Sequence, residues 1–178
     1  MALKYLNLDE TTRKFMLQEV DLDFNSEKGL NMSRNFNEEG IRNWGDCLKT
    51  AIEMYDDAWL ANQLRDNNYM KEYTERRKPK GGFTMAKVPV TAPEMFAEGE
   101  FNRFYARGLC LRAIEEGILN VIVYRAKDVA HSRPESEAKI GTSIDANVLL
   151  NDLRTSQGED TERGIPGGPN SGLSIKLP

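Results

Sequence analysis

Two cysteines, Cys47 and Cys110, and one histidine, His131, are the only thiol and imidazole side chains in this 178-residue chain. That inventory is too small for a usual zinc site, which takes about four Cys/His ligands unless carboxylates fill in. No apolar run reaches the ~18 residues of a membrane-spanning helix. The opening Met1-Ala2-Leu3-Lys4-Tyr5 has no apolar signal core, so secretion is not expected. There is also no excess of positive charge. Lys and Arg number 24 against 28 Asp and Glu, a net of −4, so phosphate-driven binding of nucleic acid over the whole surface is excluded. No Walker loop, dinucleotide fingerprint, HExxH or GxSxG occurs. What remains is 39% hydrophobic and 29% charged residues, the profile of one soluble domain.

Hydrophobic spacing sets out the elements. A first helix is predicted over 9–23, capped by Asp9, with Phe15, Met16, Val20 and Leu22 as apolar contacts. Residues 24–36 read as an irregular connection with room for a short strand at 30–33. A second helix starts at Asn37, with Glu38 and Glu39 favoured by the helix dipole. Its stripe of Ile41, Trp44, Leu48, Ile52, Tyr55 and Trp59 fades near Asp66-Asn67-Asn68. Both tryptophans are expected to be buried against a later helix. Residues 71–82 read as a polar linker broken by Pro79 and Gly81-Gly82, and 83–90 as a strand. Thr91, Pro93 and Glu94 mark the start of a long helix, with Thr91 and Glu94 spaced as a capping box, and Gly117 marks its stop. Apolar residues spread around that helix make it the central, buried one. The run 118–125 is the best strand in the chain, and a last helix is expected over 143–154.

This pattern predicts an α+β, helix-rich fold. Two to four helices surround a long buried central helix, with a small mixed or edge β-sheet, in one domain over 1–155. Residues 156–178 hold five glycines and three prolines and read as an extended C-terminal arm. Its final alternation, with Leu173, Ile175 and Leu177 as anchors, suits a strand added to another subunit's sheet edge.

Candidate chemistry is sparse. Arg103, Arg107 and Glu100 share one side of the central helix, as an ion-pair cluster or as a phosphate site. The basic cluster Arg76, Arg77, Lys78 and Lys80, flanked by Tyr73 and Phe83, reads as a solvated loop, as a contact to an acidic partner surface or as a track for a phosphate backbone. His131, Arg133, Glu135 and Glu137 sit in a polar loop without a presented nucleophile. The cysteines fall in apolar helical patterns and read as buried free thiols. No catalytic, cofactor or metal site is expected.

The stretches FNRFYARGLCLRAIEEGI (101–118) and YRAKDVAHSRPESEAKIG (124–141) resemble segments of uncharacterised proteins of tailed phages and prophages. They include no motif of established chemistry, so the resemblance carries over no functional residue. It implies a non-enzymatic structural subunit of a virion, in the head, connector or tail, assembled in the host cytoplasm. Its partners would be copies of itself and other virion proteins, with no membrane. The alternative is a small nucleic-acid-binding or packaging factor using the 76–80 loop.

Overall fold

The computed structural model describes residues 3–129, 133–158, 161–167 and 171–178. The fold is α+β and helix-rich, arranged around one long helix. Helix α1, Glu10–Phe24, begins where the Asp9 carboxylate accepts the Thr12 N–H at 2.9 Å. Helix α2, Glu38–Met54, begins in the same way on Asn37, which accepts the Gly40 N–H at 2.8 Å.

The single second helix expected from spacing is in fact two. Tyr55 leaves helical geometry, and Asp56 accepts the Trp59 N–H at 2.9 Å to cap α3, Asp57–Asp66. This break separates the two tryptophans. Trp44 is fully buried, with ring centroids 5.5 Å from Phe36 and 4.9 Å from Phe96. Trp59 is half-buried and stacks on the exposed Tyr55 at 4.4 Å. Ile41, expected in the stripe, is also exposed. Trp44→Ala is therefore expected to cost about 3–5 kcal/mol, as a large aromatic core deletion does, and Trp59→Ala about 1–2. Urea unfolding of the two variants checks this; equal losses would contradict it.

A β-hairpin replaces the expected polar linker. Strand β1, Tyr73–Arg77, pairs antiparallel with β2, Phe83–Lys87. Gly81 (φ +90°) and Gly82 (φ +77°) supply the left-handed turn between them. No strand forms at 30–33, where the chain stays irregular until the Phe36–Met70 bridge.

Helix α4, Ala92–Glu115, is the central helix and packs on α1, α3 and the later helix α6 (Ala146–Thr155). Its predicted capping box does not form: Thr91 has helical backbone angles and makes no side-chain cap bond. Gly108 lets α1 cross closely, since a Cβ there would stand 2.6 Å from Met16 Cγ. Strand β3, Asn120–Arg125, lies between β4 (Ser143–Asp145) and β5 (Leu173–Lys176), both antiparallel to it. A short helix, α5 (Pro134–Glu137), lies between β3 and β4. Because β2 and β3 belong to different sheets, no βαβ crossover forms.

The C-terminal segment is not an arm leaving the body. β5 pairs with the chain's own β3, with Ile175 opposite Val123. Leu173 and Ile175 are buried in the core, and Leu177 is partly buried with its N–H on Asn7 Oδ1 at 3.0 Å. Nearer its start, Asp152 accepts the Glu162 and Arg163 N–H groups at 3.0 and 3.1 Å, and Ile165 enters the core. The proposed boundary at 155 and the docking of Leu173, Ile175 and Leu177 on another subunit are thus corrected. The edge they need is supplied within the chain.

Candidate interaction surface and adjoining cleft

The arginines of α4 divide between two roles. Arg107 is fully buried and forks onto Asp23 at 2.6 and 2.8 Å, with its Nε on Glu19 at 2.8 Å. Arg154 of α6 holds the same Glu19 at 2.5 and 3.0 Å. This is the ion-pair cluster, and it ties α1, α4 and α6 together. Arg103 is buried and its Nη2 donates to Leu153 O at 2.6 Å. Glu100 has a different partner. Its Oε1 accepts from Asn31 Nδ2 at 2.7 Å. Burial pushes the Glu100 carboxyl above its usual value, opposed by the Asn31 hydrogen bond and the Arg103 charge.

The loop containing His131 builds no acid–base set among the described residues. His131 itself lies outside them. Glu137 pairs with Arg125 at 2.7 Å, and Arg133 and Glu135 are exposed to solvent. Cys47 and Cys110 are free thiols, both pushed up by burial and so held as neutral S–H. Among the described residues no three His, Cys, Asp or Glu could hold a metal ion together. No helix among them is long and apolar enough to cross a membrane.

Both strands of the hairpin are exposed along nearly their whole length. Its register places Tyr73, Glu75 and Arg77 on one face with Lys87, Met85 and Phe83 as their cross-strand neighbours. Phe83 and Met85 are 62% and 63% exposed, Tyr73 49%. Each cross-strand pair on this open face therefore sets a charged side chain against an apolar one, positive at Lys87 and Arg77 and negative at Glu75. Segment 71–90 carries six cations and two anions, a net of +4, which leaves −8 on the remainder of the chain. The predicted basic patch is divided by the strand period. Arg77 lies on this outer face, Lys78 and Lys80 in the turn, and Arg76 on the opposite face with Thr74. None of the four makes an ion pair among the described residues.

That opposite face borders a cleft of about 850 Å3. Its floor is one stripe of α4: Ala92, Met95, Phe96, Gly99, Glu100 and Arg103, spaced three and four apart. Loop 31–35 forms a wall and brings Arg34, while the hairpin brings Arg76. The wall is tied down at both ends, by Asn31 on Glu100 and by Lys71 N–H on Asn35 O at 2.7 Å. Of this cleft, sequence reading singled out only Arg76, Glu100 and Arg103. Asn31, Arg34, Phe96 and Gly99 belong to no functional motif in the sequence, although a glycine inside a helix is a local signal.

No family model, curated protein or solved structure matches the chain.

Proposed function

We propose that the protein is a non-enzymatic assembly subunit of a tailed-phage particle, in the head, connector or tail, formed in the host cytoplasm. In this reading the β1–β2 hairpin, not the C-terminal segment, carries the contact to a second copy. One observation carries it: a +4 hairpin with Phe83, Met85 and Tyr73 exposed projects from a body with a net charge of −8. The chain thus supplies both halves of a complementary contact. Exposed apolar side chains ringed by charge are the usual marks of a protein contact. A head-to-tail contact of this kind generates a ring where the rotation closes and a filament where it does not. The resemblance of 101–118 and 124–141 to phage proteins points the same way.

The test is sedimentation of the purified chain across concentration and salt. Association is expected that weakens as salt screens the hairpin. Phe83→Ser with Met85→Ser should abolish it with the melting temperature unchanged, because both side chains are already in water. A wild-type chain that stays monomeric at every concentration, and binds no phage head or tail preparation, would overturn the proposal.

The unpaired cations support a second reading, binding of nucleic acid through Arg76, Arg77, Lys78 and Lys80. Changing all four to Ala should then reduce the slope of log K against log salt by about 3. Absence of DNA or RNA retention at low salt would dismiss this reading and leave the first intact.

A further inference from the structure

We propose that the cleft between α4, loop 31–35 and the hairpin is a binding site for a small phosphorylated molecule with a planar apolar body, of the size of a nucleoside monophosphate. The inference does not rest on the assembly reading. Its volume, about 850 Å3, lies within the range of small-molecule sites.

The floor supplies the apolar half. Phe96 packs edge-on against Phe36 at 5.1 Å and against Trp44 at 4.9 Å, so its ring is held by the core while it lines the cleft. Met95 and Met32 line the cleft beside it. The rim supplies the cationic half. Arg34 and Arg76 come from separate chain segments and line the same cleft, and their guanidinium groups make no hydrogen bond or ion pair among the described residues. Two guanidinium forks suit the oxygens of one phosphate. Where the wall meets the floor, the Asn31 amide and the Glu100 carboxyl are hydrogen-bonded to each other at 2.7 Å and offer their remaining polar atoms to the edge of a planar ring.

Gly99 is the independent observation. Glycine is the poorest helix former after proline, so a glycine within a 24-residue helix calls for a reason. At two other helical glycines the reason is packing: a Cβ would stand 2.6 Å from Met16 Cγ at Gly108 and 2.3 Å from Tyr69 O at Gly40. At Gly99 a Cβ would meet nothing within 4 Å. No packing contact among the described residues requires that residue to be small. It lies in the cleft floor between Phe96 and Glu100, where the missing side chain leaves flat helix surface for a ligand.

Gly99→Leu separates fold from site. The variant should melt at the same temperature as the wild type or higher. It should bind nucleoside monophosphate at least about tenfold more weakly in calorimetry, because the side chain occupies the floor. Arg34→Ala and Arg76→Ala should each weaken binding about tenfold and flatten its salt dependence. The probes are the four ribonucleoside 5′-monophosphates, the unphosphorylated nucleosides, inorganic phosphate and a short single-stranded oligonucleotide. Weaker binding of the nucleosides and of phosphate than of the monophosphates supports the two-part site. An oligonucleotide that competes with the monophosphate identifies the ligand as a unit of a strand; one that does not identifies a free nucleotide. The proposal is overturned if no monophosphate binds at millimolar concentration, if inorganic phosphate binds equally well, or if Gly99→Leu binds as the wild type does.

Discussion

Arg107→Met is expected to destabilise the protein by about 3–5 kcal/mol at neutral pH, the cost of breaking a buried ion pair from one side. The guanidinium is fully buried and Glu19 is 2% exposed, so water cannot replace the lost partner of that carboxylate. Asp23 would retain the 3.3 Å contact from Gln157, and Glu19 would retain Arg154. The size of the loss should depend on pH, and the sign can be worked out. Burial raises the Glu19 carboxyl, but the hydrogen bonds and charges of Arg154 and Arg107 outweigh it and hold the group below its ordinary value of 4.5. A depressed carboxylate contributes stability that is full above the unfolded-state pKa and is lost as pH falls through the folded one. In the wild type that contribution fades in acid. In Arg107→Met the desolvation is opposed by Arg154 without Arg107, so protonation of Glu19 relieves the variant. The gap between the two proteins should therefore be widest near pH 7 and should narrow toward pH 4.5. Arg107→Lys should recover only part of the loss, because a point charge cannot fork onto Asp23. Urea unfolding at the two pH values measures all three. A loss under about 1 kcal/mol, or a gap independent of pH, would mean that the network is replaceable packing.

The same helix shows what the sequence could and could not convey. The start of α4 at 92 and its end near 116 were legible because Pro93 and Gly117 act locally, through φ and the missing Cβ. Its burial on all sides was legible from the spread of apolar residues. The break at Tyr55 was not, because Trp59 continues the stripe at the right spacing and only the Asp56 cap opposes it. The hairpin was missed for a different reason. Its first strand, YTERR, is polar and charged, and it is held by register with β2, not by its own propensity. The cleft is assembled from segments far apart in sequence, each unremarkable alone, so only Gly99 could have marked it. The final strand was legible as a strand from its alternation. Which sheet edge it would join depends on where β3 lies after folding, which no local pattern records.

That difference leads to the largest expected effect: truncation after Arg154 should unfold the chain. Had 156–178 been an external arm, its removal would have left the melting temperature nearly unchanged. In the structure Leu173 and Ile175 are 1% and 0% exposed. Burial of two such side chains contributes about 3–6 kcal/mol. The amide of Asn102, itself buried, donates to Leu173 O at 2.8 Å and accepts from Ser174 Oγ at 2.7 Å. Without β5 that amide is left unsatisfied inside the protein, at a further cost of about 1–3 kcal/mol. β3 would also lose one of its two neighbours, and the Ala126 N–H its 2.7 Å bond to Gly172 O. These losses reach the whole stability of an ordinary domain, about 5–15 kcal/mol. The milder variant Ile175→Ala should fold and lose about 2–5 kcal/mol. Near-UV circular dichroism and thermal melting of the truncated chain give the decisive readings. Loss of the near-UV signal, restored in part by a synthetic peptide of residues 168–178, is the expected result, since the peptide can refill the vacated edge and core. A truncated chain that keeps its near-UV spectrum and melts within a few degrees of the full one would return the C-terminal segment to the role of an arm, free to dock on a neighbouring subunit.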